Sequence, residues 1–258
     1  MDLQIALTIP GWMYVSDLAL LSIVSKHTPA NTSFVEFGNF LGRSTRAVSD
    51  NVSPSVKIHA VDVWDINAPF PNPRTIHSDL VRKWQVTNGA PKESTICQNF
   101  EHACKIASDS GTWETPFSLF TKNTNYFDGT SNIVNYCGTT ADFAVPSNTA
   151  VAFIDADHSL EGVWSDIQKF NQTPEVLVCG HDFESSHHNG VVQALVQYMQ
   201  SQSGNNMDTN RTLMVLPNTS IWFLIPPSGY WATAFYNKVM PEYQLVSPGL
   251  LKTPRYKD

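Results

Sequence analysis

The sequence has few charged residues, and basic residues are the minority among them. Asp, Glu, Lys and Arg make up 15% of the 258 residues, and 16 basic against 23 acidic side chains give a net charge of −7. Nucleic acids and anionic membranes attract proteins through basic patches, so neither is expected as a partner. A hydrophobic share of 42% is enough for a sizeable core and excludes a wholly disordered chain.

The sequence also has no paired cysteines and no long apolar runs, and its first residues do not show the pattern expected of a secretory leader. Its cysteines form no CxxC pair, which disfavours a structural zinc site or a disulfide framework. No stretch reaches the roughly 18 apolar residues of a membrane helix, and the start, MDLQIALTIPGW, has no basic segment followed by an apolar one. We therefore expect a cytoplasmic protein with reduced thiols at Cys97, Cys104, Cys137 and Cys179.

Apolar runs alternate with amphipathic segments along much of the chain, which is typical of a parallel sheet covered by helices. Such alternation requires crossover connections, and these place helices on both faces of the sheet. Predicted strands lie at 34–37, 58–63, 132–137, 150–154 and 176–179, and predicted helices at 14–27, 44–49, 160–170 and 190–200.

The C-terminal part departs from this alternation. Strand-like runs at 212–216 and 221–225 are separated only by Pro-Asn-Thr-Ser, which is too short for a crossover helix and predicts an antiparallel hairpin. The predicted fold is a single α/β domain over residues 1–258. It is Rossmann-like and doubly wound, with a mostly parallel seven-stranded sheet that ends in an antiparallel hairpin strand.

Two segments fall outside this core pattern. Residues 67–115 are rich in Pro, Asn, Ser and Thr, and we predict an insertion over one end of the sheet, with helices near 76–84 and 93–107. Residues 226–258 have no clear period and are predicted to be an extension that wraps the body. Both segments are candidates for shaping a substrate pocket.

The turn after the first predicted strand has the features of a ligand-binding turn. Gly38 and Gly42 allow backbone N–H groups to approach a ligand, and Ser44 and Thr45 open the following helix with hydroxyls that can cap it or touch the ligand. Asp62 ends the next strand, where it can accept ribose hydroxyls. A tight βα turn with a strand-end Asp explains the same residues without a ligand. The spacing is not GxGxxG, which disfavours a dinucleotide.

Acidic and histidine side chains follow the fourth and fifth predicted strands. Asp155 and Asp157 follow one, and His181 and Asp182 follow the other. If the strands are neighbours, roughly 4.8 Å apart, the carboxylates converge, and they repel unless protonated or bridged by a cation. Oxygen ligands suit Mg²⁺, Mn²⁺ or Ca²⁺, and His181 shifts the preference toward a transition metal. Alternatively, Asp157 or Asp182 caps a helix and His181 makes a supporting hydrogen bond.

Several motifs in a fixed order make the chain resemble a known enzyme family. They are EFGNFLGRST at 36–45, FIDADHSLEGV at 153–163 with Asp166 after it, GHDF at 180–183 and Gly-Val at 190–191. They resemble motifs of class I S-adenosylmethionine-dependent methyltransferases, in the branch of metal-dependent small-molecule and sugar O-methyltransferases. The departures are Leu160 where an aromatic residue is usual, Cys179 where glycine is common, and the long insertion after Asp65.

The resemblance implies S-adenosylmethionine as the cofactor and assigns its contacts. Glu36 would hold the methionine ammonium, Ser44 the carboxylate end and Asp62 the ribose, while a loop at 138–142 would lie at the adenine edge. Trp64 would pack on the adenine, although it could equally be a core aromatic. The implied cofactor-binding residues are Glu36, Gly38, Asn39, Gly42, Ser44, Thr45, Asp62, Trp64, Thr139, Thr140 and Asp155.

The resemblance also implies a divalent ion, Mg²⁺ or Mn²⁺, held by Asp155 and Asp182 with His181 as third ligand. The implied catalytic residues are His158 and Asp155. His158 stands where similar enzymes have a lysine or histidine, and it would be the base. Alternatively, His158 caps or orients the next helix. His187 and His188 line the acceptor site or are solvated loop residues.

The expected function is O-methylation of a hydroxyl on a small acceptor, with a sugar or glycan suggested by analogy. A homo-oligomer is left open. An NAD-type oxidoreductase on a similar fold is the main alternative, and the missing third glycine and the Asp-Ala-Asp-His motif disfavour it. A non-catalytic cofactor-binding module is the other alternative, which the intact acidic and histidine residues disfavour.

Overall fold

A seven-stranded sheet forms the centre of the computed structural model, which describes residues 1–9, 11, 13–64, 116–125, 132–183, 189–202 and 210–250. The strands are β1 (Ser33–Phe37), β2 (Lys57–Asp62), β3 (Ile133–Cys137), β4 (Thr149–Ile154), β5 (Leu177–Gly180), β6 (Thr212–Val215) and β7 (Trp222–Ile225). Their order in the sheet is β3-β2-β1-β4-β5-β7-β6. Strand β7 runs antiparallel to both β5 and β6, and the pairings among β1 to β5 are parallel.

Helices cover the sheet on both faces. They are α1 (Val15–Lys26), α2 (Arg43–Ser49), α3 (Pro116–Asn125), α4 (Leu160–Gln168), α5 (Asn189–Gln202), α6 (Tyr230–Ala234) and α7 (Met240–Leu250). A 3₁₀ turn, Ala6–Thr8, precedes α1, and a π-helical turn, Phe235–Val239, joins α6 to α7.

Alternating strand residues build one apolar core on each face, because successive side chains of a strand point to opposite sides. On one face, Phe34 and Phe153 pack in one cluster with residues of α1, α2 and the C-terminal helices. On the other face, Val35 and Ile154 pack with residues of α4 and α5. The arrangement confirms the predicted doubly wound fold.

The register of the parallel strands aligns their carboxyl ends. Phe37 of β1 pairs with Ile154 of β4, which in turn pairs with Gly180 of β5. The ladder continues one residue further, since the Asp155 N–H donates to Phe37 O at 2.8 Å and the His181 N–H donates to Ile154 O at 3.1 Å. The residues that follow the three strands are therefore brought to one edge of the sheet.

The predicted strands and helices within the described residues are confirmed, with ends shifted by one or two residues. The hairpin of β6 and β7 is also confirmed. The extension after residue 226 is more regular than expected, since it forms α6, the π-helical turn and α7. Its residues Trp231, Phe235 and Tyr243 are buried in the core on the α1 face of the sheet. Residues 67–115, with both helices predicted there, lie outside the described residues.

Within the described ranges, no helix combines the length and the apolar character needed to cross a membrane. Cys179 is buried and Cys137 is exposed, and both are free thiols. Cys97 and Cys104 lie outside the described residues.

Candidate functional site

The turn between β1 and α2 has three residues in the left-handed region, Gly38 (φ 81°), Phe40 (φ 46°) and Gly42 (φ 87°). At Gly38, a Cβ would lie 2.1 Å from the main-chain oxygen of Asp155, so glycine is required for β1 and β4 to end side by side. At Gly42, a Cβ would lie 2.7 Å from Thr124 Cγ2 of α3. Both glycines, which sequence reasoning assigned to close cofactor approach, thus also have contacts within the protein that demand them.

Asp62 fixes this turn from the end of β2. Its Oδ2 accepts hydrogen bonds from the N–H groups of Asn39 (2.7 Å) and Phe40 (2.9 Å), and its Oδ1 accepts one from the Trp64 N–H (3.0 Å). A carboxylate offers about four lone-pair sites, so these bonds leave room for a further donor on Oδ1. The predicted ribose contact of Asp62 remains a prediction.

Glu36 lies under the turn and is fully buried. Its Oε1 accepts a short hydrogen bond from Ser44 Oγ, and Asn39 Nδ2 donates to Thr45 Oγ1 at 2.9 Å in the same polar group. Glu36 Oε2 and Asn39 Oδ1 are buried without a hydrogen-bond partner among the described residues. Four of the predicted cofactor-binding residues are thus in contact, and two of their acceptor atoms have no hydrogen-bond partner in the described part of the chain.

Burial raises the pKa of Glu36 from 4.5 to about 7, although the hydrogen bond from Ser44 and the polar side chains of Thr45 and Asn39 nearby oppose the shift. The negative charge of Asp155 adds to the increase. A buried carboxylate without a cation is costly. A ligand that brings a positive charge to Oε2 would remove this cost.

Trp64 is 2% exposed and lies between the aromatic rings of α3. Its ring centroid is 4.5 Å from that of Phe120 and 5.1 Å from that of Phe117, and its Nε1 donates to Phe40 O at 2.9 Å. This environment fits the alternative of a core aromatic that supports the glycine turn. Stacking of Trp64 on an adenine stays a prediction.

The loop after β3 is held by two carboxylates. Thr139 Oγ1 donates to Asp142 Oδ2 at 2.6 Å on the exposed side, and the Thr140 side chain hydrogen-bonds to Asp166 of α4. Burial raises the pKa of Asp166 to about 6, and Thr140 and Lys169 oppose this shift. Asp166 stood in a recognised motif without an assigned role, and the structure shows it anchoring the loop that carries Thr140.

Asp155 after β4 converges with His181 and Asp182 after β5 as predicted, and His158 joins them, whereas Asp157 does not. His158 Nε2 is 3.1 Å from Asp182 Oδ2 and 3.6 Å from Asp155 Oδ1. His181 Nδ1 is 3.1 Å from Asp182 Oδ1 and 3.6 Å from Asp155 Oδ1. Ligand atoms of Asp155, His158 and Asp182 lie within 4.8 Å of one another and could hold a metal ion. Thus His158, assigned as a base from the sequence, lies as close to both carboxylates as the predicted ligand His181.

Asp182 has a left-handed backbone, with φ 62°, which is uncommon for a residue other than glycine. Such conformations persist where the surrounding structure holds them, and they cluster at functional sites. Here the next residue, Phe183, donates its N–H to Ser220 O at 2.9 Å. The strained backbone aims the Asp182 carboxylate at both histidines.

His181 is buried between carboxylates. Burial lowers its pKa, but attraction by Asp155 and Asp182 and hydrogen bonds to Asp155 and Asp17 outweigh burial, so the pKa of His181 is raised well above 6.5. For His158, a hydrogen bond to Asp155 raises the pKa, burial opposes it, and the charges of Asp182 and Asp155 add to the increase. The carboxylates of Asp155 and Asp182 thus raise the pKa of both imidazoles.

Two residues of this site were missed by sequence reasoning. Asp17, fully buried in the first turn of α1, lies with its Oδ2 3.3 Å from His181 Nε2, and Ser220 Oγ lies 2.9 Å from the same nitrogen. The only local signal for Asp17 is its position three residues after the helix cap Tyr14, where an acidic residue is common. Nothing in the sequence relates it to a residue 164 positions away.

Asp157 has a different position from its neighbour Asp155. Its two oxygens accept hydrogen bonds from the Ser159 N–H (2.9 Å) and the Ser159 hydroxyl (2.8 Å), and Ser159 caps α4. These bonds lower the pKa of Asp157. The alternative that Asp157 serves the start of a helix fits this geometry. His187 and His188 lie outside the described residues.

The residues present fit both groups that the resemblance implies. Glu36 Oε2 and Asn39 Oδ1 are buried acceptors with no hydrogen-bond partner among the residues that the structure describes, which suits an ammonium group. Asp155, His158 and Asp182 offer ligand atoms within 4.8 Å of one another, and His181 Nδ1 lies 3.1 Å from Asp182 Oδ1, an arrangement that suits a divalent cation. The glycine turn and the acidic cluster adjoin directly, because Gly38 packs against the main chain of Asp155.

Several solved structures have a fold similar to that of this chain. The chain is similar to a TDP-rhamnose 3′-O-methyltransferase of calicheamicin biosynthesis, with 12% identity over 80% of this chain and 76% of the other and a TM-score of 0.45. It is also similar to a SAM-dependent O-methyltransferase from Thermotoga maritima, with 10% identity over 82% of this chain and 65% of the other and a TM-score of 0.42. A third similar structure is an rRNA methylase from Streptococcus thermophilus, with 12% identity over 79% of this chain and 90% of the other and a TM-score of 0.36.

No protein-family model matches the chain, and no curated protein matches it. The three solved structures named above are methyltransferases.

Proposed function

We propose that the chain is an S-adenosylmethionine-dependent O-methyltransferase assisted by a divalent cation. The observation that carries the proposal is the buried Glu36 under the glycine turn, next to an edge that bears Asp155, His158 and Asp182. Within the described ranges, Glu36 Oε2 has no hydrogen-bond partner. A cationic amino acid ligand would satisfy Glu36. The acidic and histidine cluster beside it provides the groups that activate a hydroxyl.

The same residue disfavours a dinucleotide. In the NAD-binding fold, the pyrophosphate sits on the glycine turn. Here that turn covers a buried carboxylate, and a second negative charge beside it would be repelled. Glu36 therefore favours an ammonium-bearing cofactor over a diphosphate.

In this proposal, the chain itself must align the acceptor with the cofactor and remove a proton from the acceptor hydroxyl. When bound, the cofactor supplies an electrophilic methyl group. Asp155 and Asp182 would hold the cation that lowers the pKa of the acceptor hydroxyl. The side chain of His158 is the most exposed of the four in the cluster, at 34%. We therefore assign His158 as the base that accepts the proton of that hydroxyl. We propose a sugar or glycan hydroxyl as the acceptor, in a cytoplasmic reaction.

Binding calorimetry tests the cofactor assignment. We expect S-adenosylhomocysteine to bind with micromolar affinity and NADH not to bind under the same conditions. The amino group of the first ligand pairs with Glu36, whereas the diphosphate of NADH meets that carboxylate. Binding of NADH without binding of S-adenosylhomocysteine would show that the site is a dinucleotide site.

Metal removal tests the cation. With a panel of sugar and glycan acceptors, EDTA should lower the methylation rate at least about 100-fold, the scale by which loss of transition-state charge stabilisation slows enzymes. Adding Mn²⁺ in excess should restore it. The matched measurement is S-adenosylhomocysteine affinity in EDTA, which should not change, because Glu36 and Asp62 need no ion. Full methylation in EDTA would remove the cation from the proposal.

A further inference from the structure

A buried carboxylate–imidazole pair lies behind the acidic cluster. Asp17 Oδ2 is 3.3 Å from His181 Nε2, and the two side chains are 0% and 5% exposed. Asp17 is fixed by other bonds as well, since its Oδ2 accepts from the Tyr14 N–H at 3.1 Å and its Oδ1 from the Ser220 N–H at 2.9 Å. The carboxylate thus joins α1 and the β6–β7 turn to the residue after β5.

This pair fixes the direction of the other ring nitrogen. With Nε2 held by Ser220 Oγ at 2.9 Å and by Asp17 Oδ2 at 3.3 Å, Nδ1 of His181 faces Asp182 Oδ1 at 3.1 Å and Asp155 Oδ1 at 3.6 Å. The backbone of His181 is also held, because Trp222 Nε1 donates to its carbonyl oxygen at 3.0 Å. A histidine whose one nitrogen donates to a carboxylate and whose other faces a cluster of ligands has the arrangement seen in metal centres, where the carboxylate orients the ring and makes it more basic.

We infer that Asp17 is a positioning residue of the metal centre proposed above. It directs His181 Nδ1 toward Asp155 and Asp182, so that His181 is the imidazole ligand of the cation. His158 then remains available to accept the proton of the acceptor hydroxyl. The inference rests on the cation of the proposed function. The buried position of His181 suits a fixed ligand, whereas the 34% exposure of His158 suits contact with an acceptor. Asp17 itself acts only through His181.

An imidazole ligand also sets the choice of metal. Mg²⁺ prefers oxygen ligands, whereas Mn²⁺, Co²⁺ and Zn²⁺ accept imidazole and bind nitrogen-containing sites more tightly. Two carboxylates with His181 therefore favour Mn²⁺ over Mg²⁺. The preference depends on Asp17, because the ring must present an unprotonated Nδ1 to the ion and keep the proton on Nε2.

The test is calorimetric titration of the whole protein with Mn²⁺ and with Mg²⁺, each alone. We expect the wild type to bind Mn²⁺ at least about ten-fold more tightly than Mg²⁺. Asp17→Asn should weaken Mn²⁺ binding about 10–100-fold, with a smaller loss for Mg²⁺. Ser220→Ala is the matched control, because it removes a hydroxyl 2.9 Å from the same nitrogen and retains the carboxylate. Equal Mn²⁺ affinity in wild type and Asp17→Asn, or an equal loss in Ser220→Ala, would overturn the inference.

Two further variants assign the ligand even where Asp17→Asn does not fold. Pulsed electron paramagnetic resonance of the Mn²⁺ complex should show nitrogen coupling in the wild type and in His158→Gln. That coupling should be lost in His181→Gln, whose amide can reach Asp17 but provides no atom at Nδ1. Coupling that is lost in His158→Gln and kept in His181→Gln would exchange the two roles and refute the inference.

Titration with S-adenosylhomocysteine in metal-free buffer separates this inference from the proposed function. A wild type that binds S-adenosylhomocysteine but shows no preference for Mn²⁺ contradicts the role of Asp17 alone. A wild type that binds Mn²⁺ through His181 but does not bind S-adenosylhomocysteine contradicts the methyltransferase proposal and leaves the metal centre standing.

Discussion

Replacing Glu36 with glutamine should weaken S-adenosylhomocysteine binding at pH 8 by about 10–100-fold, which corresponds to losing a charge-assisted hydrogen bond of about 1.5–3 kcal/mol. The neutral amide keeps the size of the side chain but cannot neutralise an ammonium group at the Oε2 position. Calorimetry on both proteins gives the ratio directly. Glu242→Gln is the matched control, because it removes a carboxylate from a partly exposed ion pair with Lys26 and should leave binding unchanged.

The pH dependence of binding gives the same substitution a second readout. The pKa of Glu36 is about 7 in the free protein, so the fraction that carries the charge needed for binding increases from pH 6 to pH 8. Affinity of the wild type should therefore increase about ten-fold over this interval and level off above it. Glu36→Gln should show no such increase. A wild-type affinity that is constant from pH 6 to pH 8 would contradict the assigned contact.

Stability should change in the opposite direction from affinity, which separates lost binding from misfolding. The folded pKa of Glu36 lies above its ordinary 4.5, so the folded state binds the proton more tightly and the free protein loses stability as pH rises from about 4.5 through about 7. The shift corresponds to a cost of about 3 kcal/mol when Glu36 is ionised. At pH 8 the glutamine variant should therefore unfold at a higher temperature than the wild type.

Sequence patterns predicted the sheet and its layers because apolar periodicity depends on local burial. The short gap between β6 and β7 was enough to predict their antiparallel pairing. The C-terminal extension was not predicted as helical, since the buried residues Trp231, Phe235 and Tyr243 share their helices with exposed ones such as Tyr236 and Leu245. Their burial depends on packing against α1, which no local period records.

The site was predictable where its residues follow strands and unpredictable where they come from elsewhere. Asp155, His181 and Asp182 follow adjacent strand ends, so topology alone brings them together. The role of Asp17 depends on the packing of α1 against the end of β5, and the enclosure of Trp64 depends on α3. Both are tertiary contacts between distant parts of the chain.

Gly38→Ala should lower the free energy of unfolding by about 2–5 kcal/mol, the sum of a left-handed conformation at about 1–2 and overpacking at about 1–3 kcal/mol. Gly38 has φ 81°, and a Cβ there would lie 2.1 Å from the carbonyl oxygen and 2.5 Å from the carbonyl carbon of Asp155. Both are main-chain atoms at the end of β4, which cannot move away by a change of rotamer. Chemical denaturation of both proteins measures the difference.

The same substitution in helix α7 gives the control and connects the clash to the site. At Gly249 a Cβ meets no atom within 4 Å and φ is not positive, so Gly249→Ala should stabilise the protein by roughly 0.5–1 kcal/mol, because alanine favours helix. Gly38→Ala must displace Asp155, so the protein that still folds should also bind Mn²⁺ more weakly, whereas Gly249→Ala should not. If Gly38→Ala had the same stability and the same Mn²⁺ affinity as the wild type, the glycine turn and the acidic cluster would not be packed against each other.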